Sequence, residues 1–244
     1  MSCESKENMN QSNTMREMPK DERPYEKCER FGAGSLTDIE LLAVLLRTGT
    51  KGESALDLAR KLFYPGEGTQ PQAKAHLQSW TKEELLKISG IGRVKAIQIL
   101  CLCELSKRMS QLSAREDLDF SRPDTIAAYY MEDMRYYRQE HLKLLMLNTR
   151  SRLIGESEIS RGTVNMSVIS PRELFIEALQ KNAVYIILLH NHPSGDPMPS
   201  REDILVTQRI REGGSLLGIE LLDHIIIGDN CYVSLAEQKL LKEK

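Results

Sequence analysis

Along the chain, the spacing of apolar positions changes character near the middle. The first half places apolar residues three and four apart, the spacing of helices with one buried face. Thr37 and Glu40 form a capping box ahead of Leu41, Leu42, Val44, Leu45 and Leu46, with Gly49 as the expected stop. Glu53 to Leu62 repeats the pattern through Ala55, Leu58, Ala59 and Leu62, and a Pro/Gly loop follows at 64–71. Thr81 and Glu84 cap a further helix that leads into Ile88-Ser-Gly90-Ile-Gly92 and a long segment ending near Arg108.

The second half mixes both periods. A helix is expected over Asp124–Met134, a strand over Leu142–Leu147, a turn at Asn148–Ser151 and a hairpin partner over Leu153–Ile159. Ser170-Pro171-x-Glu173 has the form of a helix start, with a cap, a proline at the first position and a carboxylate three residues on. That helix runs to Lys181. Val184–Leu189 is apolar without alternation, as in a central strand covered on both faces. A helix capped by Ser200 and ending at Gly213-Gly214, then strands at His224–Ile227 and Tyr232–Ser234, complete the pattern. The expected class is α/β (α+β): a helical N-terminal domain, then a three-layer α/β/α domain around a mixed sheet. The boundaries are a disordered tail at 1–18, a helical domain at 19–115, a linker at 116–122 and the second domain at 123–244.

Charge narrows the functional classes. The net charge of −2 argues against a protein that coats nucleic acid, although residues 1–115 carry 18 Lys and Arg against 15 Asp and Glu. No apolar run approaches the roughly 20 residues of a membrane helix, and the polar start has no signal-peptide core. The five cysteines are odd in number and lack C-x-x-C spacing. Reduced thiols in a cytoplasmic protein are therefore expected.

The chemistry concentrates at His190-Asn-His-Pro-Ser-Gly-Asp-Pro-Met-Pro-Ser200-Arg-Glu-Asp203. His190 and His192 stand two apart at a strand end, so both imidazoles project from one face. Pro193 stops the strand, and Asp203 falls in the first turn of the helix capped by Ser200. Two neutral nitrogens and one carboxylate oxygen suit Zn²⁺ and leave a fourth position for water, as in catalytic sites. Ser200-x-x-Asp203 is equally a plain capping pattern, which does not exclude ligation.

This stretch resembles the metal motif of the JAMM (MPN+) metalloproteases: H-x-H, seven residues (Pro193 to Pro199), then S-x-x-D. The wording H-N-H-P-S-G-D-P is similar to one branch, the bacterial RadC family, and the likeness runs from about residue 18 to the end. It implies a zinc hydrolase acting on peptide or isopeptide bonds, in which zinc-activated water attacks an amide carbonyl. It also implies a general base at Glu140, ahead of the strand, and an oxyanion role for Ser200. Composition alone cannot select Glu140, and Glu156 and Glu158 are its rivals. Asn191 stands where ubiquitin-cleaving relatives carry Ser or Thr, which weakens any transfer of ubiquitin specificity. Arg161 and Arg172 match similar residues of the family without an assigned role. Asp223 and His224 point to opposite faces of a strand and are expected to support or pack rather than chelate. His76 and His141 are expected at the surface.

Leu86-x-Ile88-x-Gly90-Ile91-Gly92-x-x-x-Ala96 resembles a helix-hairpin-helix, spanning 81–108. Backbone N–H groups at the second helix start can hold a phosphate, with Arg93 and Lys95 adding charge. The competing function is thus a DNA-associated repair or recombination factor binding without sequence preference. A nucleobase deaminase fits poorly, because its P-C-x-x-C segment is absent and His192 stands where its glutamate belongs.

Overall fold

The computed structural model describes residues 18–50, 52–65, 77–116, 118–162 and 170–241. They form two compact units that divide between Glu104 and Leu105. The tail expected before Met18, most of the 64–71 loop and His76 lie outside the described residues.

The first unit is helical: α1 (Pro24–Phe31), α2 (Asp38–Leu46), α3 (Ala55–Phe63), α4 (Lys82–Leu85) and the start of α5 (Arg93–Glu116). Capping boxes at Thr37/Glu40 and Thr81/Glu84 form as expected, each joining side chain to backbone in both directions. The box of α3 is Ser54/Asp57, so that helix starts after Glu53 rather than at it. α2 stops at Leu46, short of Gly49, because Arg47 turns the chain with a φ of 63°. α5 continues to Glu116, past the expected end at Arg108, since neither Gly nor Pro interrupts the sequence before Pro123. Leu42, Leu46, Leu58, Leu62, Leu85 and Ile99 are buried together in this unit's core.

The second unit holds α6 (Pro123–Met134), β1 (His141–Leu147), β2 (Leu153–Arg161), α7 (Pro171–Gln180), β3 (Tyr185–Asn191), α8 (Arg201–Leu217), β4 (Glu220–Ile227) and β5 (Tyr232–Ser234). The sheet order is β2-β1-β3-β4-β5, with only the β3–β4 pair parallel. Leu145, Leu147, Ile187 and Leu189 pack with α6 residues Ile126, Tyr130 and Met134 on one face. Leu144, Met146, Ile186 and Leu188 pack with Leu174 of α7 and Val206 and Ile210 of α8 on the other. The α/β/α layering follows from this double cover. Ile186 to Leu189 are at most 1% exposed, and each such side chain contributes about 1.5–3 kcal/mol by burial.

Two expected helix signals are used differently. Ser170 makes no side-chain cap, although Pro171 does begin α7. α8 passes through Gly213-Gly214 and stops at Gly218, whose φ of 70° suits the left-handed position of a C-terminal cap. The earlier pair serves packing instead: a β-carbon on Gly214 would lie 2.2 Å from the Ile219 carbonyl oxygen, and one on Gly213 2.9 Å from the Phe175 ring. β4 begins at Glu220, four residues before the expected start.

The register brings one rim of the sheet together. β1 pairs with β3 from Leu142↔His190 to Leu147↔Tyr185, and β3 pairs with β4 through Asn191↔Ile227. The start of β1 and the ends of β3 and β4 therefore lie side by side, with Arg161 of β2 opposite His141.

Candidate metal centre

His190 is the last but one residue of the buried central strand and is fully buried, while His192 lies just beyond the strand's end. Asp203 sits in the first turn of α8, 1% exposed. His190 Nε2 and His192 Nε2 are 2.9 Å apart. Asp203 Oδ1 is 3.4 Å from the first and Oδ2 is 3.5 Å from the second. Among the described residues this is the group of three whose donor atoms could hold an ion, all within 4.8 Å of one another.

Hydrogen-bond polarity fixes what these atoms offer. The Thr207 hydroxyl donates to the Asp203 carbonyl oxygen at 2.5 Å, so toward His224 Nδ1, at 2.6 Å, it can only accept. His224 Nδ1 must therefore carry the hydrogen, and its Nε2 accepts. His190 Nδ1, 2.8 Å from that Nε2, then donates, and His190 Nε2 is left bare. His192 reaches the same state by a shorter route, its Nδ1 donating to the Asp196 carbonyl oxygen at 2.7 Å. Two lone pairs thus face each other beside a carboxylate. A positive charge between them, a shared proton or a metal ion, makes that arrangement favourable, and an N,N,O donor set with supported imidazoles fits a divalent ion such as Zn²⁺.

The electrostatics agree. Burial lowers the pKa of His190 well below its ordinary range and pushes His224 down to about 4, so both imidazoles are neutral. For Asp203, burial opposes ionisation, yet the adjacent His192 and His190 imidazoles and the hydrogen bonds from Ser200 hold its carboxyl below the usual range. His192 is raised, first by its interaction with Asp203 and against burial, which marks the point as one that attracts positive charge.

Ser200 and Asp203 do combine capping with site geometry. Asp203 Oδ2 accepts from the Ser200 backbone N–H at 2.7 Å and from its hydroxyl at 2.6 Å. Oδ1 is left toward His190. Glu140, half-buried just ahead of β1, lies within the electrostatic reach of His192 and Asp203, and burial raises its pKa. The rival glutamates are occupied: Glu156 binds the Tyr130 hydroxyl and Lys143, and Glu158 lies 2.9 Å from His141 Nδ1. His141 is accordingly not a surface residue: it is 6% exposed, with the Tyr137 ring stacked on it and Glu158 at its Nδ1. Arg161 and Arg172 are exposed.

Asp223 and His224 separate as strand neighbours do. Asp223 accepts from the backbone of His224 and Ala236 and from Ser234, tying β4 to the turn after β5. His224 supports His190. Thr207, whose hydroxyl links Asp203 to His224, is not among the residues that the sequence marks. Thr207 stands four residues after Asp203, on the same helix face, which is the one local signal it offers.

In the first unit, Gly90 adopts a φ of 92° in the turn between α4 and α5, and the Gly92 carbonyl accepts from Ala96 to start α5. Arg93 is exposed at that start. Lys95, expected beside it as a phosphate contact, turns its ammonium to the carbonyl oxygens of Thr48 (2.6 Å), Gly90 (3.3 Å) and Gly49 (3.4 Å).

A mixed sheet covered on both faces, with a His-x-His strand end and an aspartate in the next helix, defines a JAB/MPN-like domain. Residues 120–240 match the family of the RadC-like JAB domain, and residues 15–97 match the UPF0758 N-terminal family. A UPF0758 protein of Clostridium botulinum strain Hall is 48% identical over 92% of this chain and 96% of its own length. One from Bacillus licheniformis is 48% identical over 93% and 99%, and one from Geobacillus sp. strain WCH70 is 50% identical over 92% and 97%. The chain belongs to the UPF0758 family, with its RadC-like domain.

Proposed function

We propose that this chain is a zinc-dependent hydrolase of the JAMM type, acting on the peptide or isopeptide bonds of a protein or peptide substrate. The observation that carries the reading is the pair of bare imidazole nitrogens of His190 and His192, fixed by hydrogen bonds from outside and converging with Asp203. Bound there, a divalent ion supplies Lewis acidity and an activated water. Glu140 then holds and moves the proton. Its burial disfavours the charged form, which brings its pKa toward the value suited to a group that takes a proton and returns it to a leaving amine. Ser200 keeps its hydroxyl on Asp203 in the resting site, and turning it outward offers a donor to a developing oxyanion. Arg161 and Arg172 are exposed and unassigned in this scheme.

The test is elemental analysis of the purified protein beside a His190→Ala/His192→Ala variant, followed by a peptide and isopeptide panel with Glu140→Gln. One zinc per chain, lost in the double variant, is expected, with Glu140→Gln keeping the metal and losing hydrolysis. A wild-type protein that takes up no added Zn²⁺ would end the hydrolase reading. Cleavage by Glu140→Gln at the wild-type rate would remove Glu140 from it.

A second reading, compatible with the first, is DNA association without sequence preference through the Gly90–Gly92 turn. The exposed Arg93 at the start of α5 supports it. Among the described residues no helix is long and apolar enough to cross a membrane.

A further inference from the structure

We infer that Asn191, the residue between the two ligand histidines, is a positioning residue that clamps the backbone on both sides of Glu140. The inference rests on the reading of Glu140 as the base. Asn191 is 0% exposed. Its Oδ1 accepts from the His141 backbone N–H at 2.9 Å, and its Nδ2 donates to the carbonyl oxygens of Gln139 at 3.1 Å and Tyr137 at 3.4 Å. The partners leave no freedom in the amide's orientation, because an N–H can only donate and a carbonyl can only accept.

The place of these contacts gives them their meaning. The paired register of β1 and β3 stops at Leu142↔His190. One residue further, the Asn191 side chain takes the place of a ladder bond, holding His141 and Gln139, the two neighbours of Glu140. The Glu140 carbonyl is itself held by the Gly162 N–H at 2.9 Å. Arg138 and Gln139 are exposed and outside any strand, and the clamp ties this approach to the end of β3. Alternate side chains of one strand end therefore do two jobs: His190 and His192 face the cation position, and Asn191 sets the segment that carries the base. A Ser or Thr here, with one hydroxyl donor and a shorter reach, could not serve all three partners. The Asn that departs from the ubiquitin-cleaving pattern is thus matched to this chain's own Glu140 segment.

The experiment uses the full chain loaded with Co²⁺ as a visible probe, comparing wild type, Asn191→Ala, Asn191→Ser and Glu140→Gln. Exchange of the His141 amide and the pH midpoint of the Co²⁺ spectrum are followed. Asn191→Ala is expected to bind Co²⁺ with an unchanged neutral-pH spectrum. Its His141 amide should exchange about tenfold faster, as for a lost buried hydrogen bond. Its pH midpoint should move in the same direction as in Glu140→Gln. Asn191→Ser, which can keep one contact, should fall between and supplies the comparison if the alanine variant does not fold. If Glu140→Gln moves the midpoint and neither Asn191 variant does, the clamp is wrong and the base reading stands. If none moves it, Glu140 is not coupled to the ion and both fall. A Co²⁺ affinity lowered about 10–100-fold in the Asn191 variants would show that Asn191 supports the ligands instead, as outer-shell partners do, and would overturn the inference.

Discussion

The rim of the sheet and the turn at Gly90–Gly92 were both marked by polar residues in the sequence, and they use those residues in opposite ways. At the rim, the Nδ1 atoms of His190 and His192 are each occupied by a partner, so that the two Nε2 atoms are left over, aimed at one point. In the turn, a cation that sequence placed at the surface is consumed internally, its ammonium set against three carbonyl oxygens. A site is recognised by what remains after the internal hydrogen bonds are assigned. The charged residues present along a segment are a weaker guide.

The contrast can be broken most sharply at His224. Replacing it with Leu keeps much of the volume but orphans His190 Nδ1 and frees the imidazole to take the other tautomer. Zn²⁺ affinity, measured by competition with a chelator, should fall about 10–100-fold. The metal-free protein offers a second readout. His224 is pushed down to about 4 by burial, while in the unfolded chain it titrates near 6.5. Between those values the unfolded state binds the extra proton, so stability is full above the upper value and is lost as pH falls toward the lower one. At about 1.4 kcal/mol per pH unit, the contribution is on the order of 3 kcal/mol. Urea titrations at pH 7 and pH 4 should therefore show a smaller drop for His224→Leu than for wild type. An unchanged Zn²⁺ affinity would mean that His190 needs no support, and that the assignment of lone pairs carries no functional weight.

The same contrast explains what was legible beforehand. His190, His192, Ser200 and Asp203 are local: strand alternation and a capping box place them without knowledge of the rest of the chain. The layering, the central strand and most element cores follow from apolar period in the same way. His224 and Thr207 could not be assigned because their meaning arises from the β3–β4 pairing, which joins residues 34 apart, and from the packing of α8 over that pair. Asn191 read as a departure from a pattern because its three partners lie 50 to 54 residues away. His141 looked like a surface residue because its cover, the Tyr137 ring and the Glu158 carboxylate, comes from outside its own strand. Helix ends moved for local reasons of a different kind: Gly213 and Gly214 have the residue type of a stop, but the space they leave is filled by Phe175 and Ile219.

Lys95 and Arg93 are the smaller and more discriminating test, since sequence assigned them the same job. Lys95→Met keeps the aliphatic stem and removes the ammonium from the Thr48, Gly49 and Gly90 carbonyls. The loss should cost about 1–2 kcal/mol in chemical denaturation, the charge-assisted bonds being discounted for the half-exposed setting.

Arg93→Ala, at an exposed helix start, should stay within about 0.5 kcal/mol of wild type. If the turn does bind DNA, the effects reverse. Arg93→Ala should then lower the slope of log affinity against log salt by about 1, as for one lost phosphate contact. Lys95→Met, at a temperature where it remains folded, should leave that slope as it was. The outcome that defeats the contrast is a Lys95→Met protein as stable as wild type with a reduced salt slope. The ammonium would then be leaving its carbonyls for phosphate, and the turn, like the rim, would be holding its charge ready for a partner.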